Sequence, residues 1–322
     1  MKILVIIFLA VVAAQALSDQ EEWAQFKVQH KKNYVNYVEE QKRFEIFQVN
    51  LRKIEHHNEK YNKGLSTYEM GVTKFADLTD NEFMSSLTLF SEPIPDSIVH
   101  TLPQVSDLPS EFDWRQKGAV TEVKDQGTCG SCWSFSTTGT VEGAYFLKTG
   151  NLISLSEQNL VDCASDLCNG CSGGWMYKAL EYIRKAGGIM SEKDYPYEGV
   201  DDQCRFNVSN VAAKISGFTY IKKGDEDDLK NAVYVKGPVS VAIMVTPNFS
   251  RYKSGIFDDD ACITDYVNHG VLVVGYGTQN GKDYWIVKNS WGDQFGNNGY
   301  IWMTRNKNNQ CNIASFATYP NI

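Results

Sequence analysis

No cysteine precedes Cys129, although the chain carries eight. Disulfides are therefore excluded from everything upstream of that point. Histidine is equally scarce. Of the five, His30, His56, His57 and His100 come early and His269 stands alone after residue 108. Positive charge is not in excess: the net charge is −8, which argues against a nucleic-acid or anionic-membrane surface. The acidic runs Asp225–Asp228 and Asp258–Asp260 read as solvated loops. Past the N-terminus no apolar run approaches the ~20 residues that span a bilayer. There is no internal repeat and no low-complexity tract.

What is present begins with an export signal. Met1-Lys2 is a short basic region, Ile3–Ala14 is apolar, and Ala14-Gln15-Ala16 is a small-x-small cleavage site. Residues 1–16 read as a secretory signal peptide, too short to be a membrane span. Cysteines confined to one part of an exported chain suggest a disulfide-bonded domain behind a cysteine-free attachment.

Trp23–Tyr61 is charged and helix-rich. Within it Glu39, Arg43, Phe47, Asn50, Ile54 and Asn58 recur at steps of three and four, which keeps them on one helix face. An amphipathic helix burying Phe47 and Ile54 accounts for the spacing, though not for the polar members. Gly71–Asp77 alternates enough to predict a strand, and Thr79 or Asp80 with Glu82 predicts a capped helix start. Pro93, Pro95, Pro103 and Pro109 mark Ser91–Pro109 as an extended linker, the sort that is cut or laid along a groove.

After Leu108 helical signals come first. Trp133–Leu147 is stopped by Gly150, a capping box Ser154-x-x-Glu157 leads to Cys163, and Trp175–Ala186 ends at Gly187-Gly188. Strand signals follow at Val239–Val245, Gly270–Gly275, Tyr284–Lys288 and Gly299–Thr304. This order predicts an α+β architecture, a helical lobe beside a sheet or barrel lobe, with a site in the cleft between them.

Gln126-Gly-Thr-Cys129-Gly-Ser-Cys132-Trp133 places a cysteine at a helix N-terminus, where backbone N–H groups and the helix dipole favour a thiolate. A thiol nucleophile needs a base, an orienting group for that base, and donors for the developing oxyanion. His269 opens an apolar strand and is the one histidine base available after the linker. Asn289, in Lys288-Asn289-Ser290-Trp291-Gly292, is a candidate to orient it, with Trp291 shielding that bond.

Cys129-Gly-Ser-Cys132-Trp133 with His269 and Asn289 downstream resembles the papain/cathepsin family of cysteine peptidases. The row Glu39-Arg43-Phe47-Asn50-Ile54-Asn58 and the motif Gly71-x-Thr73-x-Phe75-x-Asp77 resemble the propeptide of its cathepsin L-like branch, with Thr73 where asparagine is usual. The resemblance covers nearly the whole chain after the signal. It implies an inhibitory propeptide over 17–107, with its tail, Met84–Gln104, threading the cleft backwards. A papain-like two-lobe peptidase domain would fill 108–322. It implies Cys132 as nucleophile, His269 as base and then acid, Asn289 as orienter, and Gln126 with the Cys132 N–H as oxyanion hole. A thiolate–imidazolium pair is expected at rest.

The same resemblance implies disulfides Cys129–Cys171, Cys163–Cys204 and Cys262–Cys311. Cys168 is left as a buried thiol, a competing partner for Cys129 or Cys163, or an intermolecular bridge. A substrate pocket is implied from Gly173, Gly174, Trp175, Met176, Ala242, Val267 and Gly270, with Phe316 at its base and Trp291 and Phe295 on the leaving-group side. Its apolar lining predicts leucine or valine at the second position before the scissile bond. Asn268, where aspartate commonly precedes the histidine, should modulate the pH profile. No histidine-bearing insertion blocks the cleft, which favours endopeptidase action. Asn207 and Asn248 head glycosylation sequons.

No cofactor or metal is implied. The expected partners are protein and peptide substrates, the propeptide itself and cystatin-type inhibitors, acting on a monomer in a lysosome or an extracellular digestive lumen. A catalytically impaired binding or inhibitory protein would be expected to lack the nucleophile or its histidine. An acyl-transferring relative would need an amine site, and the sequence shows none.

Overall fold

The computed structural model describes residues 19–87, 102, 105–262 and 266–322. The signal peptide, most of the Met84–Gln104 tail and Pro93, Pro95 and Pro103 lie outside them. The N-terminal part is a small helical unit. Helix α1 covers 19–29, and α2 (Tyr37–Asn62) starts at Asn36, whose side chain accepts from the Glu39 N–H. Phe47 and Leu51 of α2 pack with Trp23, Phe26 and Ala76 into a separate apolar core.

Arg43, Asn50 and Asn58 of the predicted row bind backbone, and Glu39 pairs with Arg43, which explains residue types that amphipathicity alone left open. Asn50 Nδ2 donates to the carbonyls of Ala76 and Leu78, both at 2.8 Å. Asn58 pairs with both backbone groups of Met70 at 2.9 Å. Arg43 donates to Glu39 at 2.6 Å, to Glu82 at 2.9 Å and to the Asp77 carbonyl at 3.1 Å. Strand β1 is Tyr68–Met70, and α3 (Asp80–Ser85) opens with the predicted capping box between Thr79 and Glu82.

The predicted strand over Gly71–Asp77 is not formed. Residues 74–77 turn, with Ala76 N–H on the Thr73 carbonyl. These side chains meet different partners in place of a ladder. Lys74 pairs with Asp125 at 2.6 Å, Asp77 accepts from Lys32 at 2.8 Å and Tyr34 at 2.9 Å, and Thr73 Oγ1 donates to the Ser250 carbonyl at 2.6 Å. Threonine is thus competent where asparagine is usual.

In the following domain, β2 (Phe112–Asp113) leads to a helical lobe of α4 (Cys132–Thr149), α5 (Glu157–Cys163) and α6 (Met176–Ala186). Gly150 and Gly187 end α4 and α6 at φ 76° and 82°, the left-handed region that glycine adopts without cost. The predicted Ser154 cap is corrected to Ser156, which accepts from Asn159 N–H at 2.9 Å. Glu157 is instead drawn inward to Lys124. A two-stranded ribbon, β3 (Ile189–Met190) with β4 (Val211–Ala213), closes this lobe.

Strand β5 (Gly217–Tyr220) and helix α7 (Glu226–Lys236) introduce the sheet lobe. Asp225–Asp228 is therefore not a loop. Asp225 caps α7, the acids occupy its first turn where the dipole favours them, and Asp228 is buried. Asp259 is likewise buried and accepts from Thr246 and Asn248.

The remaining strands are β6 (Val239–Ile243), β7 (Tyr252–Phe257), β8 (His269–Gln279), β9 (Lys282–Lys288), β10 (Tyr300–Thr304) and β11 (Ala317–Asn321). The sheet runs β1-β7-β10-β9-β8-β6-β11-β5, with β2 also on β8. The N-terminal unit thus supplies an edge strand to the sheet of the second domain. Gly255 of β7 sits at φ 87°, and a Cβ there would fall 2.4 Å from the Thr67 carbonyl, so glycine is required for this approach. Arg251, which is buried, donates to Asn50 Oδ1 at 2.8 Å and pairs with Asp80, both across the same junction.

Candidate active site

Cys132 is the first residue of α4, His269 the first of β8, and Asn289 follows the last of β9. Antiparallel β8 and β9 carry the histidine and asparagine to one end of the sheet, and β8 packs against α4. Gly270 permits that contact: a Cβ there would lie 3.2 Å from Met176 Sδ and 3.3 Å from the Cys132 carbonyl. Its N–H points at Cys132 Sγ, 3.4 Å away.

His269 Nε2 and Asn289 Oδ1 are 2.8 Å apart, and the Ser290 N–H also donates to that Oδ1 at 2.8 Å. The oxygen is thereby identified as an acceptor, so Nε2 carries the proton. His269 Nδ1 is left as a buried lone pair with no hydrogen-bond partner among the described residues. Trp291 lies against the imidazole at 4.8 Å. Gln126 is fixed at both ends of its amide. Nε2 donates to the Cys129 carbonyl at 2.8 Å, and Oε1 accepts from Ser290 Oγ at 2.7 Å. Ser290 thus steadies both Asn289 and Gln126. It lies inside the quoted motif, and nothing in its spacing marked that role.

Burial pushes the Cys132 thiol up to about 11, against the opposing pull of the Gly270, Trp133 and Cys132 N–H groups. Burial likewise pushes His269 down to about 4, and the Asn289 bond recovers only part. Both shifts favour the neutral pair. Within this enclosed state burial opposes each charge of the expected thiolate–imidazolium pair, because neither is solvated there.

Trp175, Met176, Ala242, Val267 and Phe316 share one apolar cluster, with the Trp175 and Phe316 rings 5.2 Å apart. Gly173 has φ 112°, and a Cβ at Gly174 would meet the Trp133 ring at 2.7 Å. Trp291 and Phe295 fall in the other lobe's core. Phe295 packs edge-on beneath Trp291 at 4.9 Å. Asn268 accepts from the Val245 N–H at 2.7 Å and donates to the Val245 carbonyl at 3.0 Å. An aspartate could not make the second bond, so the residue is bound up in the backbone.

The three expected disulfides are all formed. Cys168 is buried outside them, with Sγ 3.8 Å from the Trp175 carbonyl, which sets aside the competing-partner and intermolecular readings. The Asn207 side chain is exposed, whereas Asn248 is half-buried with Nδ2 on Asp259 at 3.1 Å. Among the described residues no cluster of potential metal ligands exists and no helix is long and apolar enough to cross a membrane.

The N-terminal unit reaches this site. The rings of Phe75 and Phe83 stand edge-on to Trp291 at 4.8 and 5.8 Å. Lys74 pairs with Asp125, the residue beside Gln126. A cavity of about 220 Å³ remains between the two parts, lined by His30, Lys74, Asp125, Trp291 and Phe295 among others.

A helix-borne cysteine, a strand-borne histidine and an asparagine, closed over by an N-terminal helical unit, define a thiol peptidase in proenzyme form. Residues 108–321 match Papain family cysteine protease, and residues 23–83 match the Cathepsin propeptide inhibitor domain (I29). The chain belongs to the papain family of cysteine proteases. Within it the chain is a cathepsin L-like cysteine endopeptidase carrying its propeptide. It is 46% identical to cathepsin L of Sarcophaga peregrina over 339 residues, with all of both chains covered. It is 48% identical to cathepsin S of Mus musculus, over 93% of this chain and 90% of that one. The digestive procathepsin L 3 of Tenebrio molitor larval midgut superposes with a TM-score of 0.88 at 47% identity, over 94% of this chain and 99% of the other.

Proposed function

We propose that Cys132 and His269 hydrolyse peptide bonds through an acyl-enzyme. His269 Nδ1 takes the thiol proton as Sγ bonds to the carbonyl carbon, and the electron pair moves to oxygen. Gln126 Nε2 and the Cys132 N–H receive that oxyanion. As the C–N bond breaks, the imidazolium protonates the leaving amine. Water, deprotonated by the same imidazole, then bonds to the thioester carbon; the C–S bond breaks, the acid leaves and the imidazolium proton returns to Sγ. The observation that carries this reading is the Asn289–His269 bond, which holds the proton on Nε2 and leaves Nδ1 as the base. Labelling by an epoxysuccinyl cysteine reagent, with peptide cleavage after acid treatment, tests it. Failure of either rules it out.

Specificity follows from the Trp175–Phe316 cluster. A basic side chain there would lose its hydration with no acid in that apolar cluster, among the described residues, to pair with. Leucine or valine at the second position before the cut should dominate a substrate-library profile, with arginine poorly accepted. An arginine-dominated profile would sink this assignment.

Residues 1–16 are removed on export, 17–107 inhibit in place, and the mature enzyme begins near Leu108. Acid releases the propeptide. Asp77 and Glu39 are carboxylates in its internal pairs, and His30 lies at its junction with the enzyme. Burial first, then Lys32, lowers the His30 pKa, against Asp77, while Lys74 adds to the lowering. A depressed histidine stabilises docking above its ordinary 6.5 and loses that contribution as pH falls. Glu82, held at about 2 by the Thr79 N–H and Arg43, keeps its charge until far stronger acid. His30→Phe should therefore slow maturation at pH ~5 severalfold and flatten its pH dependence. Maturation equally fast at neutral and acidic pH in the unaltered chain would refute the acid trigger.

We assign the mature enzyme to the lysosome or a digestive lumen as a monomer open to cystatin-type inhibitors. Among related chains, one is named digestive cysteine proteinase 1, from Homarus americanus. Of the sequons, Asn207 is the better carrier of a glycan, because the Asn248 amide is already engaged.

A further inference from the structure

We propose that Tyr197 is a positioning residue for the oxyanion hole, its one hydroxyl joining the two chain segments that supply the donors. The assignment rests on the peptidase function proposed for this site. Those donors, the Gln126 side chain and the Cys132 N–H, are separated by a loop of turns and bends containing Gly127 at φ 65°. The loop is pinned by the Gln126 N–H on the Ser290 carbonyl at 2.9 Å, by the Gln126 Nε2 bond to Cys129 and by the Cys129–Cys171 disulfide, but none of these joins the Gln126 backbone to Ser131.

Tyr197 does so. Its hydroxyl donates to the Gln126 carbonyl at 2.8 Å. A carbonyl only accepts, so the phenolic proton is committed there. Ser131 Oγ, 2.6 Å from the same phenol oxygen, must then be the donor to it. Ser131 is the N-cap of α4, yet its side chain makes no capping bond. A serine in that place ordinarily accepts an N–H of the first turn. Turned to Tyr197, it does not cap the Trp133 N–H, which helps, with the Gly270 N–H, to lower the Cys132 thiol pKa against burial.

Tyr197 is itself held on two sides. Its N–H donates to Glu192 at 2.9 Å, and its ring meets Phe135 of α4 edge-on at 4.9 Å. Burial keeps the phenol protonated, so the hydroxyl remains a donor across the working range.

Tyr197→Phe in the full chain, matured in acid, removes only that hydroxyl. Its kcat should fall about tenfold or more while KM stays within about twofold, because the lost alignment matters in the transition state. Affinity for a peptide aldehyde should fall in parallel. Its carbonyl carbon bonds to Sγ, and its oxygen takes the oxyanion position. Alkylation of Cys132 by iodoacetamide, which expels iodide and forms no oxyanion, should be unchanged. An unchanged kcat, or an equal loss in all three measurements, would overturn the proposal. Should Tyr197→Phe fail to fold, Ser131→Ala breaks the same bridge from the other side and should show the same pattern, smaller. An unaltered chain that cleaves nothing would remove the peptidase reading instead, a separate outcome.

Discussion

Cys132→Ala should lower peptide hydrolysis by at least about 10⁴-fold while the chain still folds and secretes. In the proposed mechanism the thiol is the nucleophile, and alanine leaves no thiol at the N-terminus of α4 to form the acyl-enzyme. Its structural contribution is small. Sγ receives one backbone N–H, that of Gly270 at 3.4 Å, a weak bond to sulfur, and alanine retains the helix start. Residual turnover above that level would place the nucleophile elsewhere. The same thiol reports on the covered state. Because burial pushes it up to about 11, Cys132 in the intact proenzyme should react slowly with iodoacetamide at pH 7. Acid maturation should raise that rate by at least about tenfold, as solvent and the imidazolium stabilise the thiolate. Equal rates before and after maturation would mean that the neutral pair is not a property of the closed form.

Lys124→Met should cost about 3–5 kcal/mol of stability, the largest loss expected of any substitution outside the core. Lys124 Nζ donates to both Glu157 oxygens at 2.7 and 2.8 Å and to the Leu155 carbonyl at 3.0 Å. Burial alone would lower its pKa, but Glu157 and Glu142 outweigh that and raise it. Glu157 also accepts from Thr138 of α4 at 2.5 Å, so the pair fastens α5 to the nucleophile's helix. Removing the lysine strands a buried carboxylate. Lys288, which also interacts electrostatically with Glu142 and Glu157, is tied to the Thr121 carbonyl at 2.8 Å and is itself lowered to about 8 by burial. The melting midpoint should drop by about ten degrees, and Glu157→Gln in the same chain should recover part of it by removing the orphaned charge. A midpoint within about two degrees of the unaltered chain would show that the site relaxes or hydrates.

The Lys124–Glu157 pair also marks where sequence reading stops. Ser154-x-x-Glu157 has the pattern of a capping box, and a glutamate at N3 would satisfy it locally. The side chain went instead to a lysine thirty-three positions away, a partner that no local pattern contains. Gly71–Asp77 failed for the same reason. Its alternation is real, but Lys74, Thr73 and Asp77 each answer to a different distant group, and the chain turns to reach them. On acidity alone Asp225–Asp228 reads as a solvated loop; its position at the start of α7, where Asp225 caps and the dipole favours negative charge, makes it helical.

What the sequence determined by itself was whatever depends on near neighbours and residue type. Helices α4 and α6 ended at glycines because only those residues take the left-handed turn cheaply. The row from Glu39 to Asn58 lay on one face because 3.6 residues make a turn. Cys132 and His269 were legible as a thiol and the one histidine after the linker, with Asn289 a candidate to orient it, and the resemblance to the papain family added Gln126. Only the tertiary structure shows which way burial pushes the Cys132 thiol and the His269 imidazole, because burial is a property of the packed whole. It alone assigned Ser290, Tyr197 and Arg251, whose importance lies in carbonyls and carboxylates brought to them by folding. It also set the propeptide strand β1 on the edge of β7, a pairing of two segments whose own patterns name no partner.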